Sequence, residues 1–148
     1  MITQIWENKK QYLELLLLAD EQETMIDKYL DRGEMFALFE DDLKAICVVT
    51  DEGKGICELK NLATAVVYQR KGYGKQLVDF ICVHYASKYA TLLVGTGDSA
   101  LTLPFYRSCG FVPSHRIKNF FTDNYDHPIF EAGKQLVDMV YLSKALCE

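Results

Sequence analysis

The sequence predicts a single domain in which helices flank a central mixed, mostly antiparallel sheet, the α+β or mixed α/β class. Three observations carry this. Residues 34–50 read as two apolar strands around an Asp41-Asp42 turn. A long strand, Ile56 to Val66, runs into a glycine-containing turn followed by a helical stripe. Two more strands close the chain after a further helix. At 148 residues the chain has the size of one ordinary domain, and a core of that size folds without disulfides or metal.

Taken in order, Ile2 to Trp6 predicts a first strand, and Gln11 to Gly33 predicts two helices. The second places Met25, Ile26, Tyr29 and Leu30 at helical spacing and stops at Gly33. Strands over Glu34 to Glu40 and Leu43 to Thr50 follow, and Asp51 to Gly55 turns the chain into Ile56 to Val66, completing an antiparallel meander. A central helix spans about Gly74 to Lys88, with Leu77, Phe80, Ile81 and His84 as the stripe that packs on the sheet. Thr91 to Val94 is a short buried strand, a helix ends near Cys109 and Gly110, and Phe111 to Ile117 and Leu136 to Leu142 are the closing strands. Pro104 is accepted only in a first helical turn, so that helix begins near Thr102 or Leu103 and is short.

Composition narrows the function classes. Cys47, Cys57, Cys82, Cys109 and Cys147 are odd in number and contain no C-x-x-C pair, which points away from a disulfide framework or zinc site and toward a reducing cytoplasm. Cys109, in a Ser-Cys-Gly-Phe segment, reads as a buried helix end and not as a nucleophile. His84, His115 and His127 show no metal-ligand spacing. A net charge of -5 disfavours nucleic-acid or anionic-membrane partners, which need a basic surface to displace counterions. The longest apolar run, Leu15 to Ala19, is far short of a membrane span, and the first ten residues lack the pattern of a signal peptide.

The most informative segment is Gln69-Arg70-Lys71-Gly72-Tyr73-Gly74-Lys75, between the end of the long strand and the start of the central helix. A helix N-terminus presents unpaired backbone N–H groups and partial positive charge, and glycines let the main chain approach an anion closely. With Arg70, Lys71 and Lys75 this suits a pyrophosphate, although a plain turn with solvated basic residues has the same letters. A P-loop does not fit, because Gln76 follows Gly74-Lys75, and Leu77 stands where a dinucleotide fingerprint needs its third glycine.

On these residues the chain resembles the GCN5-related N-acetyltransferases (GNAT). Gln69 to Gly74 matches their Q/R-x-x-G-x-G/A signature, and Tyr106 to Phe111 matches a later Tyr-x-x-x-Gly-Phe pattern. The tail Asn119 to Glu131 is similar to a bacterial subgroup. The resemblance implies an acetyl-CoA-dependent transfer to a primary amine of a small molecule or protein, with acetyl-CoA as co-substrate and no metal.

It also implies roles. The segment Leu62, Ala63 and Thr64 would pair through its backbone with the pantetheine arm, as an added strand does. Gln69, Arg70, Lys71, Gly72, Tyr73, Gly74 and Lys75 would hold the pyrophosphate. Val66 stands where the family has a proline, so the strand's bulge and exit are expected to differ in detail. Ser99, beside Asp98, replaces the family's pantetheine-holding asparagine.

Glu58 aligns with the general base of some members, or is a strand glutamate paired with Lys60. The backbone N–H of Leu62 would receive the oxyanion, and Tyr106 is at the general-acid position, or is one of nine tyrosines filling the core. Tyr125, Asp126, His127 and Glu131 are candidates for the acceptor side, aromatics beside acids suiting a cation. The alternative function is a non-catalytic acyl-CoA-binding module or sensor, and a homodimer is compatible with either reading.

Overall fold

The computed structural model describes residues 1–146 as a three-layer arrangement around one large sheet. The strands are β1 (Ile2–Ile5), β2 (Glu34–Glu40), β3 (Asp42–Gly53), β4 (Ile56–Thr64), β5 (Thr91–Gly97), β6 (Val112–Ile117), β7 (Phe130–Glu131), β8 (Lys134–Gln135) and β9 (Met139–Ala145). The helices are α1 (Leu13–Ala19), α2 (Glu23–Ile26), α3 (Tyr73–Tyr85), α4 (Leu103–Ser108) and α5 (Phe120–Asn124). The main sheet runs β1-β2-β3-β4-β5-β9-β6, while β7 and β8 form a separate hairpin. All neighbours in the main sheet are antiparallel except β4 and β5. Cys147, read above with the other cysteines, lies outside the described residues.

One face of the sheet carries α3 and α4. Leu77, Val78, Ile81 and Tyr85 of α3 are buried against Phe36, Ala45, Cys47, Cys57, Leu59 and Leu92, each large side chain contributing about 1.5–3 kcal/mol through lost apolar surface. The predicted stripe needs correction here: His84 is exposed and stacks on Phe80 at the helix edge, while Val78 and Tyr85 take the inward positions. On the other face Leu16, Ile26 and Leu30 cover Met35, Ala37, Ile46 and Val48. Met25, Ile26, Tyr29 and Leu30 are buried as their spacing predicts, yet regular helix ends at Ile26 and continues as hydrogen-bonded turns to Gly33.

Strand β4 changes face along its length. Cys57 and Leu59 point to the α3 side, as does Leu62, whereas Glu58, Asn61 and Ala63 lie on the α1 side. The parity shift comes from a bulge: Val48 pairs with Asn61 and Val49 with Leu59, leaving Lys60 as the extra residue.

The closing strand is the second correction. Leu136 to Leu142 was expected, but β9 begins at Met139. Leu136 packs instead with Phe121 and Ile129 in a small third core, and its N–H donates to the Ile129 carbonyl at 2.8 Å. The residues before it form α5 and the β7-β8 hairpin, too short for periodicity to register. Pro104 falls in the first turn of α4, and Cys109 is buried at its end, both as expected. Among the described residues no helix is long and apolar enough to cross a membrane.

Candidate active site

Parallel pairing between β4 and β5 starts at Ile56 with Thr91 and ends at Leu59 with Val94. Both strands continue, β4 to Thr64 on its β3 side and β5 to Gly97 on its β9 side. The sheet therefore opens into a slot between two strands, and a cleft of about 230 Å³ occupies it. Its walls include Leu59 to Leu62, Val94 to Gly97, Thr102 and Tyr106, with Asp20, Tyr125 and Glu131 from outside the sheet.

At one end of the slot stands the N-terminus of α3. Gly72 is its N-cap with φ 91°, a left-handed conformation that costs glycine little, and no side chain caps the first turn. The unpaired N–H groups of that turn therefore remain free for an anion. A Cβ at Gly74 would lie 3.4 Å from the Phe105 ring and 3.7 Å from Thr64 Oγ1, ordinary contact distances that put the first turn of α3 beside both β4 and α4. Gln69 Nε2 donates to the Thr64 carbonyl at 3.1 Å, folding the turn back on the strand end.

Arg70, Lys71 and Lys75 are exposed around this helix end, Lys75 being 3.4 Å from Asp79 one turn on. Tyr73 is half-buried, and its hydroxyl donates to Glu40 at 3.1 Å, which pins the start of α3 to the β2-β3 turn.

Tyr106, 8 % exposed, lines the cleft from α4, and burial pushes its phenol well above the ordinary tyrosine pKa. The hydroxyl is thus protonated throughout the physiological range. Glu58, 6 % exposed, lines an adjoining cavity of about 180 Å³ that shares Asp20, Lys60, Gly95, Tyr125 and Met139 with the first. Its carboxylate accepts from the Tyr141 hydroxyl at 3.1 Å and pairs with Lys60 at 3.1 Å, so the pairing weighed from sequence is present.

Ser99 is buried at the turn into α4. Its hydroxyl accepts from the Leu101 N–H at 3.1 Å and sits against the Glu131 carboxylate.

The acceptor-side candidates separate. Tyr125 and Glu131 line the cleft, whereas Asp126 and His127 are on the surface, where the imidazole meets Asp126 at 2.5 Å and Glu21 at 3.9 Å. Two residues that sequence reasoning passed over join them. Asp20, just past α1, accepts from Tyr125 at 2.6 Å and Tyr29 at 3.0 Å, and burial raises its carboxyl pKa. Asn61, 3 % exposed, donates from Nδ2 to the Leu16 carbonyl and to Tyr29, both at 3.1 Å. The signal for Asn61 was in the spacing: inward residues Cys57 and Leu59 are followed by Leu62, a break in the period of two. Asp20 carries no comparable local signature.

A strand pair that splays beside an uncapped helix N-terminus is the arrangement that the resemblance implies for an acyl-CoA site, and known proteins supply the comparison. Residues 31–113 match the acetyltransferase (GNAT) domain model. The chain is 37% identical over 140 residues to the uncharacterized N-acetyltransferase YvbK of Bacillus subtilis, covering 92% of this chain and 90% of that protein. A GNAT family acetyltransferase from Elizabethkingia anophelis with acetyl-CoA bound superposes with a TM-score of 0.92 at 33% identity, over 98% of this chain and 97% of the other. A Bacillus subtilis acetyltransferase in complex with CoA gives 0.88 at 36% identity, over 97% of each. The chain belongs to the GNAT acetyltransferase family, a class of acetyl-CoA-dependent N-acyltransferases.

Proposed function

We propose that this chain transfers the acetyl group of acetyl-CoA to a primary amine by direct attack in a ternary complex. The slot between β4 and β5 carries this reading, because it joins an uncapped helix N-terminus to a buried tyrosine hydroxyl. The pyrophosphate would sit on the N–H groups of residues 72–75, with Arg70, Lys71 and Lys75 as screened electrostatic support. The pantetheine would follow the free edge of β4 along Leu62, Ala63 and Thr64.

The amine must be neutral to attack, so its ammonium form first gives up a proton. Glu58 is the base proposed, taking that proton through water from the adjoining cavity. The amine nitrogen then bonds to the thioester carbon, and the backbone N–H of Leu62 receives the oxyanion. As the oxyanion re-forms the carbonyl and the C–S bond breaks, the nitrogen gives up its surplus proton to water and Tyr106 donates its proton to the thiolate. Solvent then returns a proton to the phenol, which burial keeps in its neutral form. Cys47, Cys57, Cys82 and Cys109 are free thiols, which suits the cytoplasm as the compartment proposed.

The test is an amine panel with acetyl-CoA, read by CoA release and by the mass of the product. An N-acetylated product formed by the wild type supports the reading. Folded protein that binds acetyl-CoA but acetylates no amine would favour a binding module instead.

A further inference from the structure

Among the described residues two buried side-chain polar atoms have no hydrogen-bond partner, Asn61 Oδ1 and Glu131 Oε1. Both are acceptors, and both residues line the same cleft between β4 and β5. The Asn61 amide has only one workable orientation. The Leu16 carbonyl can only accept, so Nδ2 must face it, and Tyr29 spends its proton on Asp20. Asn61 Oδ1 is therefore left without a donor by the surrounding network, and a buried acceptor in this state takes one from water in the cleft or from a ligand that displaces it.

The charge of the cleft points the same way. Asp20, Glu21 and Glu131 line it against one cation, Lys60, which already pairs with Glu58 at 3.1 Å. Burial raises both the Asp20 and Glu131 carboxyls, against the lowering effect of the Tyr125 and Tyr29 hydroxyls on Asp20 and of the Ser99 hydroxyl on Glu131; Glu21 adds a smaller rise at Glu131. Tyr125 and Phe121 add apolar surface beside these groups. A purely apolar acceptor would leave both orphan oxygens unpaired, and an anionic one would add to the repulsion.

We propose that the acceptor carries two amino groups, a neutral one presented to the thioester beside Asn61 and a second, protonated one held by Glu131. Asp20 and Glu21 strengthen the negative field without touching the reacting atoms. The ligand class is a diamine or a larger compound with a second ammonium group, which rests on the transfer reading above and narrows it.

Calorimetric titration of the CoA-saturated protein with α,ω-diamines, from diaminopropane to diaminohexane, and with n-alkylamines of matching length, tests this directly. At the best length the diamine should bind at least about tenfold more tightly than its monoamine, ~1.4 kcal/mol. Glu131→Gln, nearly isosteric and checked by its melt, should abolish that preference while leaving acetyl-CoA affinity unchanged. Equal affinities throughout the series, or a preference that survives Glu131→Gln, would overturn the proposal. So would weakened acetyl-CoA binding in Glu131→Gln without diamine preference, since the cofactor's own amides would then be the missing donors. CoA release separates this from the parent reading. Preferential diamine binding without acetylation sinks transfer alone, and monoamines and diamines acetylated with equal KM sink only the second ammonium site.

Discussion

The two ends of the slot offer a ligand different kinds of group. At the α3 end the groups proposed to meet the cofactor are backbone N–H groups, beside a left-handed Gly72 and a Gly74 without a side chain, within one short segment. At the acceptor end they are side chains: Asp20 from beyond α1, Asn61 from β4, Tyr125 after α5 and Glu131 from β7. A backbone site needs local letters that permit a conformation. A side-chain site needs a whole fold to bring distant letters together, and it can change its ligand by single substitutions.

Replacing Gly74 tests the backbone end most severely. Valine there would press on Phe105 and Thr64 and obstruct the approach of an anion to the first turn. We expect CoA affinity to fall about a thousandfold, ~4 kcal/mol, by calorimetry on folded protein. Unchanged affinity would move the pyrophosphate elsewhere.

Tyr106→Phe keeps the ring and its edge contacts with Phe105 and Phe111 but removes the hydroxyl. Turnover should drop about a hundredfold, roughly 3 kcal/mol, with acetyl-CoA binding and melting temperature nearly constant. Unchanged kcat with chemistry rate-limiting would reduce Tyr106 to packing. Removing the exposed charges in Arg70→Ala or Lys75→Ala should cost only a few-fold in CoA affinity, a loss that fades at high salt. A deep, salt-independent loss would mean that side chains, not backbone, dominate this end too.

The smallest effect is on stability. Because the folded Glu131 carboxyl is raised above its ordinary 4.5, its favourable contribution is present at low pH and lost as pH rises through the raised value. Wild type should therefore lose stability relative to Glu131→Gln on going from acid to neutral pH, measured by urea melts. The opposite trend would mean that this carboxylate is stabilised by a partner in the free protein.

The same contrast explains what could be read in advance. The turn Gln69 to Lys75, the meander from Glu34 and the short α4 after Pro104 are specified by neighbours in sequence, and the structure places them accordingly, except that the last meander strand stops at Thr64 and Val66 falls in a 3-10 turn. The spacing of His84 from Leu77 and Ile81 fits an inward stripe, but Tyr85 reaches Glu34 with its hydroxyl at 2.6 Å and takes that place. Leu136 looked like strand because its role, packing on Phe121 and Ile129, depends on a fold around α5 that leaves no periodic trace. The resemblance singles out Tyr106 and Glu58, which the structure puts in the walls of two adjoining cavities, whereas Asp20 and the orphan oxygen of Asn61 emerge only from three-dimensional hydrogen bonding.

Whether the chain binds acetyl-CoA in this slot is tested most directly by thermal melts with and without the cofactor. A ligand that binds only the native state adds about 2.7 kcal/mol at a hundredfold excess over Kd. For a domain of this size that should raise Tm by about 5–10 °C. The shift should appear in wild type and vanish in Gly74→Val. No shift in folded wild type at millimolar acetyl-CoA would contradict the account at its foundation.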